Sequence, residues 1–212
     1  MDASFWHQKW DDNNIAFHNS EVNPLLVKHF GTLFLKKGSR VFVPLCGKTL
    51  DIAWLLSQGY CVAGAELSKV AIDQLFAELG VTPDVAEHGE VTHYSATDID
   101  IFVGDIFNLS ADMLGAVDAV YDRAALVALP REMRDRYTTH LLDITNKAPQ
   151  LLISFEYDQT LMAGPPHSIR HEEVHQHYED SYALTLAESE EMPDGLKGKC
   201  PATKNVWLLQ RN

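Results

Sequence analysis

Short unbroken apolar runs alternate along this chain with stretches in which apolar residues return every third or fourth position. The first kind reads as strands buried on both faces, the second as helices with one apolar side. Residues 41–45 and 61–66 are such runs, brief and bounded by glycine or charge. Between them residues 49–58 read as a helix, with Leu50, Ala53, Trp54 and Leu56 on one broad face and a stop before Gly59. A second helix is expected after Ser68, a suitable N-cap, with Ala71, Leu75 and Leu79 spaced one turn apart and Gly80 as its stop. Residues 101–103, 117–121 and 151–155 read as further strands. Pro130 opens a helix that sets Met133, Tyr137, Leu141 and Ile144 on one side.

This alternation predicts an α/β fold, a mostly parallel sheet with right-handed crossovers and helices on both faces. The last third changes pattern. Residues 182–187 and 205–210 read as strands with no helix between them, which predicts an antiparallel hairpin at one sheet edge. Residues 4–10 and 24–35 read as helices outside the repeat, so residues 1–38 are expected to form a helical cover ahead of the sheet. No repeat, low-complexity tract or linker interrupts the chain, and residues 1–212 are expected to form one domain.

Composition narrows the partners. The chain has 212 residues, is 46% hydrophobic and carries a net charge of −13, from 17 Lys and Arg against 30 Asp and Glu. A polyanion such as nucleic acid meets a repulsive average field, so a small-molecule partner is expected, bound by a monomer. The N-terminus lacks the basic start and apolar core of a signal peptide, and no run approaches the roughly 18 apolar residues of a membrane span. The expected location is the cytoplasm, with no membrane partner. Cys46, Cys61 and Cys200 match neither a disulfide framework nor a zinc pattern and are expected as free thiols.

The strand-to-helix turn in "VFVPLCGKTLDIAWL" invites comparison with nucleotide-binding turns. Gly47-Lys48-Thr49 supplies the end of a P-loop, but Phe42 stands where its first glycine belongs, and a glycine-rich backbone is what cradles phosphate. The dinucleotide pattern G-x-G-x-x-G fails as well, since Leu45 and Leu50 occupy its outer positions. The topology still predicts a ligand crevice at the carboxyl ends of the strands. Glu66 ends the second strand, where a carboxylate is suited to both ribose hydroxyls. Asp105 ends the third, followed by Ile106 and Phe107, an acceptor beside an apolar slab such as an adenine ring requires. Ribose and base contacts without a pyrophosphate loop point to S-adenosylmethionine.

At this point a resemblance becomes specific. "FWHQKW" with "AFH", "VPLCGKTLDIAWL", "GAELS", "GDIFNL", "YDRAALVALP" and "GPPHSI" stand in the order and spacing of the bacterial thiopurine S-methyltransferases. The resemblance implies the Rossmann-like class I methyltransferase fold, a seven-stranded sheet, with S-adenosylmethionine as cofactor. It implies cofactor contacts from Trp10, Leu45, Glu66, Asp105, Ile106 and Arg123. It implies a substrate side lined by Phe17, with Arg123 holding either a cofactor carboxylate or an anionic thiolate through its cationic fork. The implied reaction transfers a methyl group to the sulfur of aromatic or heterocyclic thiols such as thiopurines, and selenium or tellurium detoxification is a further expectation.

In-line displacement from a sulfonium by an easily ionised thiol draws its rate mainly from proximity and alignment, so no general base is assigned. Trp6, Trp10 and Phe17 are expected to wall the pocket from water and to offer π faces near the sulfonium. Two rival readings need an answer. His171-Glu172-Glu173-Val174-His175 satisfies the H-E-x-x-H zinc motif, but Tyr178 stands where the extended pattern wants glycine, and no metal is expected. A non-catalytic S-adenosylmethionine-binding protein is the other. Cys46 is read as a small buried residue beneath the turn rather than a nucleophile.

Overall fold

A computed structural model describes residues 3–15 and 18–212. In chain order the elements are α1 (Ala3–Asp11), α2 (Pro24–His29), β1 (Arg40–Val43), α3 (Leu50–Ser57), β2 (Cys61–Glu66), α4 (Lys69–Leu79), β3 (Asp84–His88), β4 (Val91–Ala96) and β5 (Ile99–Val103). They continue with α5 (Ala111–Leu114), β6 (Ala119–Arg123), α6 (Arg131–Ile144), β7 (Gln150–Tyr157), α7 (His171–Tyr178), β8 (Tyr182–Glu191) and β9 (Ala202–Arg211). The sheet has nine strands in the order β3-β4-β5-β2-β1-β6-β7-β9-β8. β5, β2, β1, β6 and β7 run parallel, and β8 and β9 form the antiparallel edge hairpin foreseen at the C-terminal end.

The expectation of seven strands is corrected by two. The β3–β4 hairpin adds antiparallel strands beyond β5. All five residues of β3 are exposed, and in β4 the buried residues Val91 and Tyr94 are three apart, so neither segment shows the period-two alternation that announces a strand. The first strand also ends at Val43, short of the expected residue 45, because Leu45 turns into the left-handed region at φ 46°. The expected helix over 24–35 is α2 followed by a 3-10 turn over Phe30–Leu33.

Helix boundaries follow their caps. Thr49 caps α3 and Ser68 caps α4 through side-chain oxygens that accept from Asp51 N and Ala71 N. Gly80 closes α4 at φ 67°, a conformation open to glycine at no steric cost.

Strand residues alternate between two apolar layers. Val41, Val43, Val62, Tyr121, Leu151 and Ile153 face α2, α3 and α4. Phe42, Ala63, Ala65, Val120 and Leu152 face α5, α6 and α7. A buried residue the size of Phe42 or Ile153 contributes about 1.5–3 kcal/mol through area removed from water. The two layers fix the sheet so that the loops after β1, β2, β5 and β6 emerge along one edge.

The N-terminal segment is fastened to this sheet by polar contacts. The Asn23 amide donates to Asp51 Oδ1 at 2.7 Å, and Tyr121 OH donates to Asp51 Oδ2 at 2.9 Å. Lys28 and His29 both pair with Glu188 on β8.

Candidate active site

The chain order reverses at β1, whose neighbours are β2 and β6, and a crevice is expected at the carboxyl ends there. Residues 44–49 form its floor. Leu45 and Gly47 both take positive φ, 46° and 53°, and the Cys46 N–H donates to the Ala65 carbonyl at 2.9 Å. Trp10 lies across the turn, 4% exposed, and a β-carbon at Gly47 would fall 3.0 Å from its ring. Glycine at 47 thus serves both the backbone angle and the approach of the indole.

Glu66 ends β2 beside this turn, 6% exposed. Its Oε2 accepts from Gly47 N at 2.8 Å and its Oε1 from Ser68 N at 2.9 Å. Burial pushes its carboxyl above the usual range, and the donated amide hydrogens of Ser68 and Gly47 pull it part of the way back. The Gly104 N–H donates to the Glu66 carbonyl at 2.9 Å, which carries the line of contacts on to the end of β5.

Asp105 caps the 3-10 turn Ile106–Asn108 there, Oδ1 accepting from Phe107 N at 3.0 Å. The sequence did not announce what supports this turn. His140 Nε2 donates to the Ile106 carbonyl at 2.8 Å, and the Arg136 guanidinium lies 3.7 Å from the centre of the Phe107 ring. Both reach in from α6, and their spacing of one helical turn is the signal that was available.

Arg123 ends β6, half-buried, followed by Ala124 at φ 72°. It makes no ion pair with Asp122, whose side chain is fully buried and accepts from Tyr137 OH at 2.7 Å and Leu126 N at 3.1 Å. His18 shares the neighbourhood. Burial lowers its pKa first, and the cations Lys48 and Arg123 lower it further against the opposing charges of Glu78 and Asp51. Phe17, expected on the substrate side, lies outside the described residues. Trp6 is half-buried with its ring edge-on to Phe5.

Burial raises the Asp122 carboxyl to about 6, against the opposing hydrogen bonds from Tyr137, Leu126 and Ala125. The folded value lies above that of an unfolded aspartate, so the folded state holds the extra proton. The stability this confers is present below about pH 4 and lost as pH rises through 6. Relative to Asp122→Asn, which does not titrate, the wild-type unfolding free energy is expected to fall by about 3 kcal/mol between about pH 3.5 and 7. Urea titrations at four pH values measure this, and a difference that stays flat counts against the raised value.

The zinc motif lies on α7. His171 Nε2 is 3.6 Å from Glu156, His175 Nδ1 is 3.1 Å from Glu179, and both rings stand edge-on to Trp207. Among the described residues no three His, Cys, Asp or Glu side chains converge on a metal position. Cys46, Cys61 and Cys200 are free, and burial pushes the Cys46 thiol well up, which keeps it protonated. No described helix is long and apolar enough to cross a membrane.

The family pattern described as "Thiopurine S-methyltransferase (TPMT)" matches residues 1–210. The chain belongs to the thiopurine S-methyltransferase family. A thiopurine S-methyltransferase of Xanthobacter autotrophicus is 55% identical over 212 residues, 100% of both chains. One from Teredinibacter turnerae is 50% identical, covering 100% of this chain and 99% of its own. Among solved structures, an S-adenosylmethionine-dependent methyltransferase of Anabaena variabilis overlays with a TM-score of 0.64 at 17% identity, over 99% of this chain and 95% of that one. A 1,6-didemethyltoxoflavin N1-methyltransferase of Burkholderia thailandensis, with S-adenosylhomocysteine bound, gives 0.65 at 14% identity, over 98% and 87%. At those identities the overlays speak for the fold.

Membership in the family makes the chain an S-adenosylmethionine-dependent methyltransferase. The donor set suits that cofactor. A buried carboxylate, a capped apolar turn and a floor without a glycine-rich phosphate cradle match a nucleoside that carries no phosphate.

Proposed function

We propose that the chain methylates the sulfur of aromatic and heterocyclic thiols such as thiopurines, yielding the S-methyl product and S-adenosylhomocysteine. The observation that carries this reading is Glu66, a buried carboxylate held by the Gly47 and Ser68 amides at the switch point of the sheet. A carboxylate has about four acceptor sites, so two amides leave room for both ribose hydroxyls. When bound, S-adenosylmethionine supplies an electrophilic methyl group on a sulfonium.

The chain's own residues supply position and shelter. Leu45 lines the floor of the crevice and Trp10 closes over it, and Ile106 with Asp105 receives the adenine. Arg123 offers a planar cation to a cofactor carboxylate or to a thiolate, and the family resemblance assigns Phe17 to the substrate side. Selenols and tellurols are soft and easily ionised as thiols are, so the same pocket extends to selenium and tellurium acceptors. A deletion strain that keeps full tolerance of selenite and tellurite would count against that extension. We further read the chain as one domain over residues 1–212, acting as a cytoplasmic monomer without nucleic-acid or membrane partners. The single continuous sheet supports the one domain, and the net charge of −13 speaks against a nucleic-acid partner.

The deciding experiment pairs a methyl-transfer assay on thiophenol and 6-mercaptopurine with calorimetry of cofactor binding. Transfer to both acceptors is expected. Cofactor binding without transfer to any thiol or selenol would leave a binding protein instead. The α6 support is testable in the same assay. His140→Leu removes the donor to the Ile106 carbonyl, and a loss of about 1 kcal/mol corresponds to roughly fivefold weaker S-adenosylhomocysteine binding. An unchanged dissociation constant would detach the adenine from this turn.

A further inference from the structure

We propose that Arg134 is a positioning residue for the acceptor side of the site, locking together the backbone segments that follow β6 and β7. It sits in the first turns of α6 with 3% exposure. Its Nε donates to the Leu129 carbonyl at 2.9 Å, and its Nη1 donates to the Ser168 carbonyl at 3.3 Å and to Glu173 Oε1 at 2.6 Å. Leu129 closes the segment that begins at Arg123, and Ser168 closes the segment that carries Gly164-Pro165-Pro166-His167.

The two segments already touch, since the His167 N–H donates to the Val127 carbonyl at 2.6 Å. Each is anchored to the sheet on its far side. Asp122 holds the Leu126 N–H, and Ser168 exchanges hydrogen bonds with Tyr157 at 2.9 and 2.8 Å. Arg134 fills the gap between these anchors with donors aimed in fixed directions. Glu173 on α7 answers its charge, flanked by His177, whose Nδ1 lies 3.4 Å from Asp135.

A buried ion pair is by itself weak support for stability, because desolvation offsets much of the attraction. A planar fork that bonds two loop carbonyls at once does something an apolar side chain cannot, which is to set the spacing of those loops. The proposed ribose and adenine residues lie at the end of β2 and just past the end of β5, across β1 from this lock. Arg134 therefore governs where an acceptor thiol sits relative to the bound cofactor, and has little influence on cofactor affinity. This inference rests on the proposed function for its readout in turnover.

The test uses Arg134→Met, which keeps length and removes the fork, and Arg134→Lys, which keeps the charge and loses the planar geometry. Both are assayed with thiophenol well below their unfolding temperatures, alongside calorimetry with S-adenosylhomocysteine. We expect kcat/KM for the thiol to fall about thirtyfold or more for Met and roughly fivefold for Lys, with the S-adenosylhomocysteine dissociation constant within about threefold of wild type. A thiol kcat/KM within about threefold of wild type for Met overturns the proposal, as does an equal loss in cofactor affinity. If the Met variant does not fold, Glu173→Gln is judged by the same two criteria with an expected loss of about tenfold. If wild type transfers to no thiol, the proposed function fails separately. The lock is then read from hydrogen exchange, where Arg134→Lys should speed the His167 amide and leave β1 and β2 unchanged, and an unaltered His167 amide overturns it.

Discussion

Glu66→Ala is expected to weaken S-adenosylmethionine and S-adenosylhomocysteine binding about a hundredfold. A neutral hydroxyl donating to a buried carboxylate contributes about 1.5–3 kcal/mol, and the proposed ribose site brings two hydroxyls to this one. A loss near 3 kcal/mol in total corresponds to two decades in the dissociation constant. The substitution also strands the Gly47 and Ser68 amides, which now spend their hydrogens on Glu66. Part of the effect therefore comes from a looser floor. Glu66→Gln separates the contributions, since it keeps an acceptor for an amide and removes the charge. Calorimetry with S-adenosylhomocysteine is the measurement, and an affinity within about threefold of wild type would remove Glu66 from the ribose site.

The second large effect concerns the fastening of the N-terminal cover. Asp51 is 1% exposed and receives the Asn23 N–H and the Tyr121 hydroxyl on separate oxygens. Burial and the nearby Asp51 charge hold the Tyr121 phenol well above its usual pKa, so it remains a donor at any physiological pH. Asp51→Ala orphans two buried donors at about 1–3 kcal/mol each, for an expected destabilisation of about 4 kcal/mol in urea unfolding. Asp51→Asn retains an acceptor for one donor and should cost about half as much. A loss below about 1 kcal/mol for the alanine variant would mean that water replaces both contacts.

Much of this architecture was written in local patterns. Residues 61–66 form an apolar run whose limits coincide with β2, and Ser68 and Gly80 bracket α4 because capping chemistry is local. The acids at strand ends, Glu66 and Asp105, were legible for the same reason: a charged residue closing an apolar run marks the point where a strand leaves the core. What escaped depends on distant partners. Nothing near Asp51 announces that Tyr121 and Asn23 will converge on it, and nothing near His140 names the Ile106 carbonyl. Leucine gives no warning of positive φ, and the left-handed conformation of Leu45 is imposed by the turn that brings Cys46 N to Ala65 O. The strand expected from Val117 starts at Ala119, since Asp118 spends its carboxylate on the Arg40 N–H at 2.7 Å.

The solvated β3 strand bears on how the protein behaves when concentrated. As the terminal strand it leaves one row of backbone donors and acceptors facing water, which is a template for sheet extension between molecules. Two copies meeting there antiparallel, in the register that opposes Asp84 to Glu87, bring carboxylates face to face, and like charges across a strand pair repel. In that register the hairpin that hid from the hydrophobic pattern acts as an electrostatic selvedge, opposing sheet growth that the hydrogen bonds alone would invite.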